Sequence, residues 1–416
     1  MESMIGSLIF ALGGLAGAVF ALPFRRVKGW SYETYWLVYA VFGLILFPVF
    51  LAFMTVPECC GVFARTPGAV MVKCAGFGAL WGLGGLTWGL MIRYLGIGLG
   101  LAIGCGLCSA TGTLIPPIVS GEADKLVENS GAIVVLCGVF VSLLGIVFVG
   151  LAGKSKEAEL PEEEKKKSVA EFNFKKGMIV AVFSGVASAG MNFGLQGGVW
   201  EVSGVKISMA DVAVRSGAKE CWGGMAVLVV VLFGGFLVNA AWCLWQMLKN
   251  KSTEQKPVEK APVLGNVVFA GLAGVIWACQ FACQKFGEPL VGEEMAYIGF
   301  AVVMGSSVMF SSLLGIFLGE WKGTGARTKR FLAIGIGVLL SSFIVISAGN
   351  KLKPAKTEGE KLKETREKAE RAFQLDQMFP GTPLTCCQEK RDAGTSKQET
   401  STTNSVPAKA EDNEHR

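Results

Sequence analysis

Ten times along this 416-residue chain an apolar run of about twenty residues recurs, the length at which a helix crosses the hydrocarbon core of a bilayer. Nothing else in the sequence limits the fold so tightly. In lipid every backbone N–H and C=O has to be satisfied within its own segment. Unbroken apolar runs of this length, without period-two alternation, therefore predict helices and not a barrel. The spans read as Met4–Leu22, Tyr35–Met54, Val70–Ile92, Ile97–Ile118, Gly131–Leu151, Gly177–Gly197, Cys221–Leu244, Leu264–Phe286, Ala296–Leu318 and Phe331–Gly349. Composition agrees: 51% of residues are hydrophobic and 17% charged, against about 25% charged in soluble domains. The expected class is an all-α, multi-pass protein of the cell membrane, embedded in the lipid bilayer.

The formal charge of +6 would suggest nucleic acid in a soluble chain, but most Lys and Arg lie in loops, so no nucleic-acid partner is expected. The loops after odd-numbered spans are the basic ones, which puts both termini outside the cytoplasm; the basic stretch after Gly349 pulls the other way. No basic residue precedes Met4–Leu22, and Arg25, Arg26 and Lys28 follow it, so it reads as a retained span rather than a signal. Past Gly349 the chain is polar, with one short solvated helix expected over Glu358–Ala372 and disorder after Pro380. Most of the twelve cysteines fall in or at spans and read as packing residues. Cys105 and Cys108 have a metal-like spacing, but the one histidine is His415 in the tail, so neither metal nor cofactor is expected.

The chain contains a faint copy of itself. GSLIFALGGLAGA from Gly6 lies over GMIVAVFSGVASA from Gly177, GALW ending at Trp81 over GVIW ending at Trp277, and Gly121-Glu122 over Gly319-Glu320. Five spans per copy is an odd number, so the second copy enters the membrane from the opposite side. The expected organisation is a five-helix repeat over 1–153, a charged linker over 154–176, an inverted five-helix repeat over 177–350 and a largely disordered polar tail over 351–416. Inverted repeats are the build of secondary transporters that hold substrate near the midplane and alternate access around it.

Polar side chains recur at matching places in the two copies. Trp277, Gln280 and Gln284 fall at i, i+3 and i+7, on one helix face; Trp81 and Trp88 share a face of the third span, and Asn192 and Gln196 a face of the sixth. Burying an amide without a partner costs about 1–3 kcal/mol, so these stripes face the bundle interior, water or a ligand rather than lipid. Carboxamides serve sugar hydroxyls as donor and acceptor, and an indole takes a sugar's C–H face. The other reading is that the amides bond helix to helix. Glu33, among the aromatics of Trp30–Trp36, leads the carboxylates that could couple a proton; Glu201, Asp211 and Glu220 follow, and sodium on backbone carbonyls stays open as the alternative ion. Arg93 and Lys285 sit where long cations snorkel to the interface.

Several blocks resemble one family. RRVKGWSYETYW (Arg25–Trp36), FGALWGLGGLTWGLMIRYLGIGLGLAIG (Phe77–Gly104), GTLIPPI (Gly112–Ile118), EFNFKKG (Glu171–Gly177), SAGMNF (Ser188–Phe193) and GGFLVN (Gly234–Asn239) are similar to the L-rhamnose-proton symporter family of the drug/metabolite transporter superfamily. Val199–Glu220 and the tail depart from its pattern. The resemblance implies uptake of L-rhamnose or a related deoxysugar by proton symport, a small neutral sugar being the substrate. An exporter or exchanger of another solute such as a nucleotide sugar is the alternative, and a channel or sensor a further one. An intramembrane enzyme lacks the histidine or paired span aspartates it would need.

Overall fold

The structure is a computed structural model that describes residues 2–95, 97–119, 121, 123–159, 174–251, 262–292, 298–319, 321–352 and 358–379. In chain order the helices are α1 (Glu2–Val19), α2 (Tyr32–Thr55), α3 (Cys59–Arg65), α4 (Gly68–Leu95), α5 (Ile97–Val119), α6 (Ser130–Glu159), α7 (Phe174–Ser188), α8 (Gly190–Gln196), α9 (Met209–Arg215), α10 (Met225–Lys251), α11 (Val263–Val291), α12 (Ile298–Phe317), α13 (Ala326–Lys351) and α14 (Glu358–Met378). Among the described residues nine helical segments are long and apolar enough to cross a membrane, and a shorter apolar stretch, Ile103–Val119, lies in α5. Leu12, Phe50, Val72, Ile179, Leu248 and Ile344 are among the large apolar side chains left on the outside. That surface suits acyl chains and would associate in water.

Each span-length helix packs chiefly on particular others. Helix α1 lies against α11 and α12, and α7 lies against α4 and α5. Likewise α2 packs on α11, α10 on α4, α2 on α10, and α6 on α13. Two packed blocks result, α1/α11/α12 and α4/α5/α7–α8. The tightest crossings use glycine. A Cβ on Gly78 would strike the Val231 carbonyl oxygen of α10, and one on Gly274 the Tyr39 carbonyl oxygen of α2. Both glycines stand three residues before a tryptophan, Trp81 and Trp277, so the GALW and GVIW stretches place a close helix crossing one turn from an indole. The α2 crossing falls in a π-helical turn, Val41–Leu46, which carries Gly43.

Among the described residues the expected all-helical fold has one exception. Val199–Val202 and Val205–Ser208 form an antiparallel hairpin, β1 and β2, in the region expected to depart from the resembled family. Ser203 and Gly204 turn it with φ of 51° and 81°, the positive angles a two-residue hairpin turn requires. Ser208 then caps α9 in a reciprocal capping box with Asp211. Together α3, the hairpin, α9 and the turn Glu220–Trp222 close one end of the bundle, called here the capped end.

The tail helix is longer than expected, reaching Met378 rather than Ala372, and it is docked rather than solvated. Leu375 and Phe379 are buried, Arg215 Nε meets Asp376 Oδ1 at 2.8 Å, and the Arg65 guanidinium lies 4.0 Å from the Phe379 ring centroid. The expected disorder after Pro380 falls outside the described residues, as do 160–173. The rest of the charged linker is helical, because α6 runs to Glu159 and α7 starts at Phe174.

Candidate functional site

Trp81 and Trp277 occupy the middle of α4 and α11, and their rings stack with centroids 5.1 Å apart and planes at 26°. The pair therefore sits at mid-height, where the two packed blocks meet. Phe281 meets Trp277 edge-on at 5.0 Å. On the other side Tyr39 approaches it at 6.1 Å and continues through Trp36 (4.6 Å) to Tyr32 (5.2 Å). A ladder of rings on α2 thus leads from the uncapped end of the bundle to the central pair. Trp36 Nε1 donates to Asn239 Oδ1 of α10 at 3.0 Å, fixing the ladder's orientation.

Toward the capped end the interface turns polar. Asn192 of α8 is fully buried; its Nδ2 donates to the Gly112 carbonyl of α5 at 2.6 Å and its Oδ1 accepts from Gln284 Nε2 of α11 at 2.8 Å. One turn on, Gln196 Nε2 donates to Glu288 Oε1 at 2.8 Å, and Gln284 Nε2 also reaches that oxygen at 3.3 Å. The Lys285 ammonium pairs with Glu288 Oε2 and lies 3.4 Å from the Leu195 carbonyl oxygen. Lys285 and Glu288 are 8% and 7% exposed. A buried charge pair persists only with its remaining hydrogen-bonding capacity filled, and here amides and a carbonyl fill it. Gln284 Oε1 is buried with no partner among the described residues.

Of the expected site residues, Trp277, Gln280 and Gln284 are all buried on one face of α11. Gln280 lies against α1, where a Cβ on Gly17 would strike its Oε1, and its amide has no hydrogen bond among the described residues. Asn192, Gln196 and Gln284 bond to partners on neighbouring helices. They hold the two blocks together, which is the helix-to-helix reading of these amides. Trp88 stands apart: its Nε1 donates to Ser188 Oγ at 2.9 Å, beside a Thr87–Ser184 hydroxyl bond of 2.6 Å, and these tie α4 to α7.

Glu33 is buried at the start of α2, within electrostatic reach of Cys243. It belongs to the uncapped end, since nearby Lys28 exchanges two hydrogen bonds with Asn266 near the start of α11 (3.0 and 2.7 Å). From Asn266 to Glu288 the helix rises about 33 Å at ~1.5 Å per residue, so the two carboxylates stand at opposite ends. Of the carboxylates ranked behind Glu33, Asp211 caps α9, and Glu201 and Glu220 are exposed on the capped end.

Lys285 does not snorkel; it points inward to Glu288. The Arg93 side chain lies outside the described residues. Glu288 was missed because the eighth span was ended at Phe286, ahead of Gly287-Glu288-Pro289, whereas α11 continues through Pro289 to Val291. The signal was present, since Glu288 follows Gln284 by four and so lies on the same stripe. Cys59, Cys60, Cys105 and Cys108 are free thiols, and no metal-holding cluster of His, Cys, Asp or Glu occurs among the described residues.

A bundle of apolar helices in two packed blocks, joined at mid-height by indoles and toward one end by a buried charged cluster, makes this a multi-pass membrane protein. The chain belongs to the L-rhamnose-proton symport protein (RhaT) family, whose model matches residues 2–351. Similar proteins include the L-rhamnose-proton symporter of Cronobacter sakazakii, 30% identical over 348 residues that cover 83% of this chain and 97% of the relative. Those of Shigella sonnei and Salmonella gallinarum, bearing the same name, are 30% and 29% identical over 341 residues, 81% of this chain and 95% of each relative. The hairpin and α9 fall within the matched range; α14 falls beyond it.

Proposed function

We propose that this protein takes L-rhamnose into the cell across the cell membrane together with a proton; the names of its relatives state L-rhamnose-proton symport for them. Family membership over residues 2–351 carries the reading. The mechanism we infer is alternating access between two inverted five-helix halves, 1–153 and 177–350, that exchange their first helices. What supports the inversion is the mirrored packing: α1 on α11 and α12 repeats α7 on α4 and α5, and α2 on α11 repeats α10 on α4. Trp81 and Trp277, equivalent in the repeat, then face each other across the pseudo-symmetry axis.

In this reading the sugar sits beside the Trp81–Trp277 pair, its C–H face on an indole and its hydroxyls on Gln280 and Gln284, in a conformation now closed toward the capped end. The aromatic ladder on α2 lines the route at the other end. Trp88, Asn192 and Gln196 support the site from the flanking block, and Glu33 stands at the ladder's mouth. The loops at the uncapped end carry Arg25, Arg26, Lys28 and Lys322–Arg330, which makes that end cytoplasmic under the positive-inside rule.

Uptake of labelled L-rhamnose into proteoliposomes tests this. An inward proton gradient should drive accumulation, a protonophore should abolish it, and replacing sodium should leave it unchanged. Trp277→Ala should raise the half-saturating sugar concentration at least tenfold. Equal uptake with and without the proton gradient would refute the coupling, and unaltered affinity in Trp277→Ala would refute the site.

A further inference from the structure

We propose that Glu288 carries the coupled proton, and that protonating it releases the donors that then hold the sugar. This rests on the symport reading above and names the group that performs it. Glu288 has both carboxylate oxygens occupied, Oε2 by the Lys285 ammonium and Oε1 by the amides of Gln196 and Gln284. Gln196 comes from the α4/α5/α7–α8 block, whereas Gln284, Lys285 and Glu288 come from the α1/α11/α12 block. The anionic carboxylate is therefore a bridge between the two bodies that must separate when the capped end opens.

A neutral carboxyl group accepts more weakly and brings a donor of its own. Once it is protonated, the two amide N–H groups and the ammonium lose their anionic acceptor and compete for a weaker neutral one, while Lys285 keeps the Leu195 carbonyl oxygen at 3.4 Å. Three donors left inside a dry interface are what a polyhydroxylated ligand satisfies, and the partnerless Gln284 Oε1 accepts from one of its hydroxyls. Proton and sugar thus favour each other's binding by the same factor. Neither alone does both things needed, which are to unlatch the bridge and to fill the vacated positions. The proton enters from water on the side to which the cleft is open, resides on a Glu288 oxygen, and leaves to water on the other side. One proton crosses with one neutral sugar, so each cycle moves one positive charge.

The groups around this carboxylate are few. On its own helix Lys285 is the charged neighbour. Helix α4 brings Cys74, within electrostatic reach of Lys73 and Lys285, and Lys73 itself, whose stem lies along the end of α8. The turn Glu220–Trp222, packed on α11, brings Glu220 and Cys221. Helix α8 contributes amides alone, and α10 begins beside Lys285 with Gly224. On α1, Gly6 and Phe10 lie against Gly287, and neither titrates. The side chain of Glu2, and Glu293 and Glu294, which follow α11 in sequence, lie outside the described residues.

The test separates exchange from accumulation in proteoliposomes. With one proton per sugar and the membrane potential clamped at zero, one unit of pH gradient supports about a tenfold concentration ratio. Wild type should approach that ratio. Glu288→Gln should fall to a ratio of about one while still exchanging labelled for unlabelled L-rhamnose in counterflow, at a rate no longer dependent on pH. Because the lone Lys285 charge could cost the variant its fold, the double variant Glu288→Gln/Lys285→Met is made beside it; it too should fall to a ratio of about one, and because it loses one of the three donors its counterflow should need a higher sugar concentration. Accumulation at the wild-type ratio in either variant overturns the proposal. Loss of counterflow in folded Glu288→Gln overturns it too, by assigning the pair a structural part. Wild type that neither accumulates nor exchanges L-rhamnose would instead sink the substrate reading.

Discussion

Asn192 offers the sharpest energetic test of how the two blocks are joined. Truncating it to alanine leaves the Gly112 carbonyl and one Gln284 amide proton without their partners (2.6 and 2.8 Å in the intact protein). An orphaned buried group costs about 1–3 kcal/mol, and interhelical bonds within membranes run lower, about 0.6 kcal/mol on average and ~1.7 at most. Because Asn192 and Gln284 are both fully buried, the upper part of the membrane range applies. Asn192→Ala should therefore destabilise by about 2–3 kcal/mol once both orphans are counted. The coupling between Asn192→Ala and Gln284→Ala in a double-mutant cycle should be about 1–1.5 kcal/mol. Equilibrium unfolding in mixed micelles, with transport-competent protein as the starting state, measures both quantities. Single mutants that add to the double within about 0.3 kcal/mol would mean the amides are separated by water and do not bond across the blocks.

Three further outcomes follow from the same geometry. Gly78→Ala and Gly274→Ala each drive a methyl group into a backbone carbonyl across a helix crossing, so each should cost about 1–3 kcal/mol and lower the melting temperature, whereas Gly76→Ala, which meets open space, should not. Phe379→Ala should free α14 to proteolysis far more than Asp376→Ala, because a buried ring contributes about 1.5–3 kcal/mol and an exposed ion pair under ~1; equal release would assign the docking to charge. Burial pushes the Cys59 thiol up to about 11. Maleimide, which reacts with the thiolate, should therefore label Cys59 slowly at neutral pH, with a rate that rises about tenfold per pH unit up to that value; a rate that levels off near pH 9 would contradict it.

The helical scaffold was legible because lipid imposes one solution on a twenty-residue apolar run, and α1, α2, α10 and α13 lie close to where hydropathy placed them. The interior face of α11 was legible too, since Trp277, Gln280 and Gln284 keep helical spacing. The hairpin was not. Strands of four residues give hydropathy no period to detect, although Ser203-Gly204 between two β-branched stretches is a turn signal that a helix-only reading passed over. Glu288 lay hidden behind Pro289, because a proline inside a helix normally ends it, yet here the helix runs on for two more residues. The direction of Lys285 was not in the sequence at all. Snorkelling is what an isolated span does, and the carboxylate that reverses it stands one turn further along. Which amides bond to one another depends on how the blocks pack, a long-range property that no local spacing encodes.

The account stands on the interface between the two blocks being where the sugar is held. A structure determined with L-rhamnose and at a pH that protonates carboxylates tests it most directly. The predicted result is ligand density against the Trp81–Trp277 indoles, its hydroxyls on Gln280 and Gln284, with the Gln196–Glu288 contact broken. Density at any other place in the bundle, with the Trp81–Trp277 stack and the Gln196–Glu288 bridge both intact around no ligand, would contradict it.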